Sequence, residues 1–180
     1  MEDYLKEPGI KYGLYAGLVA LIVQFGFFSF GADVYISMWI GVAWFAMLAL
    51  AFVAGISELR SHGGFIAFPR ALLIIYTVMI IGEFFAVTAE FINYNLIDPN
   101  FHEVAKEVKV RQTAESFEKI GQVIQYNDTD RDEIMQVVES ADYQFYLQSA
   151  ALKFVTWLFL DFIFALILAA IIRKDPPKSE

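Results

Sequence analysis

Apolar residues run along this chain in four long blocks: Tyr12 to Phe30, Ile36 to Ile56, Ala71 to Asn95 and Ala150 to Ile172. About 20 apolar residues, each rising ~1.5 Å, cross the ~30 Å hydrocarbon layer of a bilayer, so each block reads as a membrane-spanning helix. Gly31-Ala32-Asp33 leaves room only for a short turn, which makes the first two spans antiparallel neighbours. Ser57 to Arg70 is a polar loop in which Gly63-Gly64 permits unusual backbone angles and Pro69 suits the first turn of the third span.

Between the third and fourth spans, over about residues 98–149, the pattern becomes amphipathic. Asp98-Pro99 is a helix-start signal. From Asn100 to Tyr126, apolar residues recur at spacings of three and four, with Phe101, Val104 and Val108 on one stripe. Val110, Ala114, Phe117, Gly121 and Ile124 form a second stripe. Asn127-Asp128-Thr129-Asp130 marks a turn with Thr129 as its cap and Asp132 three residues on. Ile134, Val137, Val138, Ala141 and Phe145 then resume a helical stripe. Neither Gly nor Pro occurs between Gly121 and Pro176, so this second helix is expected to run into the fourth span as one rod. The predicted fold is all-α, a single membrane domain over residues 1–180: a four-helix bundle, up-down-up-down, with an extracytoplasmic helical hairpin between the third and fourth spans.

Small residues place the close contacts. Gly13 and Gly17, and again Ala51 and Gly55, are spaced to let another helix approach. A contact within the chain is the favoured reading over a seam between two copies. Trp39 suits a membrane–water interface, whereas Trp44 lies deeper and is expected to pack between helices.

Composition strengthens this picture: 58% of residues are hydrophobic and 19% charged, against about a quarter charged in soluble domains. A net charge of −8 argues against nucleic acid as a partner. With no cysteine there is no disulfide and no thiolate nucleophile or metal ligand. The mixed-charge start MEDYLKEPGIK lacks the positive region of a signal peptide, so the first span is expected to stay attached. Lys6, Lys11, Arg60, Arg70, Arg173, Lys174 and Lys178 all fall on one side of a four-span topology, and the opposite turn carries no basic residue. By the positive-inside rule both termini are cytoplasmic. The insertion, with eleven acidic against five basic residues, then lies outside.

Ionisable residues inside the spans are the candidate chemistry, because such groups are costly there and default to a functional hypothesis. Glu83 and Glu90 lie seven residues apart, so they return to within roughly 20° of one direction and share a stripe of the third span. The fourth span carries Lys153 and Asp161, and Gln24 is the strongly polar interior residue of the first. Helical rise puts Glu83 level with Asp161 if Glu90 is level with Lys153. Two contacts follow as expectations: a carboxyl pair at the bilayer centre and an ion pair above it. Two carboxyls in low dielectric cannot both ionise, so the first pair either shares a proton in a proton- or cation-linked transporter or acts as hydrogen-bonding glue between helices.

Enzyme readings have little to stand on. His62-Gly63-Gly64 echoes a lipase oxyanion loop, but no Gly-x-Ser-x-Gly elbow completes it. His62 and His102 fall on opposite sides of the membrane, and no metal-ligand spacing is visible. No catalytic residue, metal or cofactor is expected. The expected partners are the lipid bilayer and either a second copy or another membrane protein.

The chain also resembles a known family. Lys11-Tyr12-Gly13 with Gly17, Gly63-Gly64-Phe65-Ile66 with Phe68, the long acidic insertion, and the exit Ala169-Ala170-Ile171-Ile172-Arg173-Lys174 are similar to the uncharacterised bacterial four-helix membrane proteins catalogued as domain of unknown function forty-one ninety-nine. The resemblance implies a multi-pass protein of the bacterial inner (cytoplasmic) membrane and transfers no catalytic residue. The expectation is therefore a non-enzymatic structural or accessory membrane protein, with the small transporter as the alternative.

Overall fold

The computed structural model describes residues 7–121, 128–142 and 145–174. Within them the chain is helical: α1 Pro8–Ser29, α2 Ala32–Ser61, α3 Phe68–Ile92, α4 Phe101–Gly121, α5 Asp128–Ser140 and α6 Leu147–Ile172, with a π-helical turn, Asn93–Ile97, continuing α3. Four helical stretches, Pro8–Ser29, Gly41–Ser61, Phe68–Ile97 and Leu147–Ile172, are long and apolar enough to cross a membrane. They mark the chain as a multi-pass membrane protein. The four apolar blocks fall on these helices. Ile124, Tyr126, Asn127, Lys6 and Lys178 lie outside the described residues, as do the side chains of Trp39 and Thr129.

The hub is α3, which packs against α1, α2 and α6. Its contact with α1 is a glycine seam. Gly9, Gly13 and Gly17 face Thr77, Ile81 and Phe85 in turn. Both series ascend by four residues, so the two helices run parallel, as an up-down-up order requires. A Cβ on Gly13 would sit 2.7 Å from Ile81 Cδ1, and one on Gly17 would collide with the Phe85 ring. On another face of α3, Gly82 gives way to Met47 of α2 and Ala16 of α1. Ala51 is fully buried in the core, and a Cβ on Gly55 would come within 2.7 Å of Ile172. Gly13, Gly17 and Gly55 thus meet side chains of this same chain.

At the basic end, the ends of α1, α2, α3 and α6 are tied together. Gly63 and Gly64 take positive φ, which only glycine adopts without strain, and turn the loop back. Ile66 then exchanges both backbone hydrogen bonds with Lys174, at 3.0 and 3.1 Å. Arg70 Nε donates to the buried carboxylate of Glu58 (3.0 Å), and its Nη2 donates to Glu7 (2.9 Å).

At the other end α4 caps the α1–α2 turn. Asp98 starts it, accepting from Asn100 N at 3.1 Å. Phe101, Ala105 and Val108 are buried against Tyr35 and Ile36 of α2, while Val104, expected on the same stripe, is 42% exposed. The spacing of four and then three through Ala105 rotates Val104 outward. Arg111 pairs with Asp33, and Gln112 Nε2 donates to Ser37 Oγ at 2.7 Å. α5 packs on α4 and leaves Ile134 and Val137 exposed.

The single rod from α5 into the fourth span does not form. α5 ends at Ser140 and α6 begins at Leu147. Tyr146 is extended, with φ −67° and ψ 161°. Asn95 Nδ2 donates to the Phe145 carbonyl at 2.9 Å, and the Phe145 ring packs on Tyr94. A tertiary hydrogen bond to that carbonyl competes with helical pairing, so the chain is pinned in a non-helical link.

Candidate functional site

The hub position of α3 decides what its polar residues meet. Its inward residues include Ala71, Ile75, Val78, Gly82, Ala86 and Ala89, and Glu83 and Glu90 share their burial. α6 covers one side. Its exposed residues Leu152, Val155, Phe159, Ile163, Ile167 and Ile171 form a lipid-facing stripe. Asp161, Ala165 and Ala169 turn inward.

Lys153 and Glu90 form an ion pair across α3 and α6, with Lys153 Nζ also 5.5 Å from the centre of the Phe145 ring. The lysine stem reaches inward from a side chain that is 22% exposed, whereas Glu90 is 8% exposed. The structure therefore brings together the two residues whose depths matched.

Glu83 and Asp161 are arranged differently from expectation. Both are buried and lie within Coulombic reach of each other, but among the described residues no hydrogen bond joins them. Asp161 Oδ1 instead accepts from Trp44 Nε1 of α2 at 3.1 Å, and among the described residues the buried Oδ2 has no hydrogen-bond partner. The cause lies on α6, where Trp157 and Phe164 flank Asp161 at −4 and +3 and both pack on the Trp44 ring, at 6.5 and 4.7 Å between centroids. The aromatic contact carries the short aspartate toward α2. Trp44 packs between helices, as its depth suggested. Tyr76 sits on the α3 side, donating to the Leu158 carbonyl at 3.3 Å and lying within Coulombic reach of Asp161.

Gln24 anchors a second polar network, between α1, α2 and α3. Its Nε2 donates to the Ala86 carbonyl (3.2 Å) and its Oε1 accepts from the Tyr35 hydroxyl at 2.6 Å. Asn93 Nδ2 reaches the same hydroxyl at 3.5 Å, while its buried Oδ1 has no hydrogen-bond partner among the described residues. Sequence reasoning missed Tyr35, Asn93 and Glu58. Tyr35 and Asn93 sit at span ends, where polar residues are ordinary, and Glu58 reads as loop. Tyr35 and Glu58 lie on the inward face once the second span is extended by a turn at each end, and Asn93 lies three residues past Glu90 on the buried stripe.

Among the described residues, no group of three or more His, Asp or Glu side chains is placed to hold a metal ion. His62 Nδ1 lies 3.1 Å from the Glu58 carbonyl, and His102 Nδ1 lies 2.9 Å from the Pro99 carbonyl, at opposite ends of the bundle.

A sequence model of the family described as Protein of unknown function (DUF4199) matches residues 11–174. The chain belongs to this family. The match takes in Gly13 and Gly17 of the glycine seam, the Ile66–Lys174 bridge, the insertion and each intramembrane polar residue described above. No curated protein and no solved structure matches the chain. What this DUF4199 member does is therefore argued from its own geometry.

Proposed function

We propose that this is a non-enzymatic membrane protein with a structural or accessory role, lying in a bacterial inner membrane with both termini in the cytoplasm and the α4–α5 insertion outside. The observation that carries the role is how the buried polar side chains are used: Glu90 with Lys153 and Asp161 with Trp44 each join two helices, and Gln24 with Tyr35 and Ala86 joins three. Interhelical polar contacts of this kind substitute for the hydrophobic drive that lipid cannot supply. The orientation is supported by the basic end, where Arg70, Lys174 and the Ser57–Arg70 loop are gathered by the Ile66–Lys174 bridge, opposite the acidic insertion.

Two experiments test this reading. Fusing to each terminus a reporter enzyme active on one side only should place both termini in the cytoplasm; an exported C-terminus would overturn the topology. Replacing the ties singly should lower unfolding stability in proportion to burial. A variant that kept full stability while abolishing a transport or chemical activity would overturn the role.

A further inference from the structure

We infer that Asp161 forms a buried proton-binding site in which one exchangeable proton sits on Oδ2, near Glu83, and is reported by Trp44. Asp161 is fully buried, and its two oxygens are not equivalent: Oδ1 accepts from Trp44 Nε1 at 3.1 Å, while among the described residues Oδ2 has no hydrogen-bond partner. A buried carboxylate with one oxygen left without a partner carries a desolvation penalty for its charge, which a bound cation removes by neutralising it. The smallest ligand that does so is a proton. Taking it up forms one O–H bond at Oδ2 and lowers the negative charge of the pair by one. Glu83, also buried, is a second carboxyl near Asp161, and among the described residues no hydrogen bond joins the two.

The surroundings are defined on every side. α3 presents Tyr76, Glu83 and, further out, Glu90; α6 presents Lys153, which is paired with Glu90; α2 presents the neutral Trp44 indole. The packing of Trp44 on Trp157 and Phe164 makes the indole sensitive to any change at Asp161. This inference stands apart from the structural role, since a site can exchange a proton without passing it across the membrane.

The test uses the full chain in lipid nanodiscs, titrated with acid while the carbonyl stretch of protonated carboxylic acids is followed by infrared difference spectroscopy and the indole by fluorescence. In the difference between the intact chain and Asp161→Asn, where the bands of the other acidic side chains cancel, one carbonyl band is expected, with the midpoint of the fluorescence change. Asp161→Asn should remove the band, and Glu83→Gln should move the midpoint by roughly one pH unit. Trp44→Phe should also move the band's midpoint, so the inference stays testable if Asp161→Asn fails to fold. No carbonyl band in that difference, or a midpoint unmoved by both other variants, would overturn it. A fluorescence response to exchanging sodium for potassium at fixed pH would also overturn it, by showing a metal cation as the occupant.

Discussion

Removing one member of the Lys153–Glu90 pair should have consequences that depend on which member is removed. Glu90 is 8% exposed and Lys153 22% exposed, so the two leave different remainders. Lys153→Met strands a carboxylate on the buried stripe of the hub helix, and a broken buried pair costs about 3–5 kcal/mol. Glu90→Gln strands a lysine whose flexible stem can carry its ammonium toward the interface, which lowers the cost to about 1–3 kcal/mol. The double variant leaves no unpaired charge and should be more stable than Lys153→Met alone. The coupling from the cycle is then about 2 kcal/mol, well above the ~0.5 kcal/mol scatter of independent sites. Equilibrium unfolding in mixed micelles, titrated with denaturing detergent and followed by circular dichroism, reads all four proteins. Additive single variants, or a Glu90→Gln cost exceeding that of Lys153→Met, would refute the reasoning from burial.

Other expectations follow from the packing. Gly17→Val should destabilise by about 1–3 kcal/mol or more, because a side chain there meets the Phe85 ring. Gly26→Ala, where nothing lies within 4 Å, should be neutral or stabilise by up to about 1 kcal/mol in the same unfolding assay. Gln24→Leu leaves the buried Tyr35 hydroxyl without its acceptor and should cost about 1–3 kcal/mol, with Tyr35→Phe recovering part of the loss in the double variant. Arg70→Met removes the strongest partner of buried Glu58 and should lower stability by roughly 1–3 kcal/mol, with Glu58→Gln in the same chain restoring most of it.

The spans were legible because hydrophobic length is a local property, and so were the glycine contacts, since Gly13 and Gly17 announce a close neighbour by spacing alone. What spacing omitted was Gly9, one turn earlier, which completes the seam against Thr77. The α5–α6 break was illegible for a physical reason: nothing near Phe145 disfavours helix, and the pin is Asn95, fifty residues away in sequence. Depth arithmetic found Glu90 and Lys153 because long side chains tolerate error in helix rotation. Asp161 is short, and its partner was set by how α2 presents Trp44, which helical rise does not encode. Val104 misled because a three-residue spacing fits two faces equally well, and only the contact with Tyr35 and Ile36 chooses between them.

The central claim is that the buried polar side chains of α3 and its neighbours hold helices together and do not carry ions across the membrane. The direct measurement is gradient decay in proteoliposomes of purified protein, with proton and sodium or potassium gradients followed separately. The account predicts decay at the rate of protein-free vesicles. Faster decay that Glu83→Gln or Asp161→Asn abolishes would contradict it.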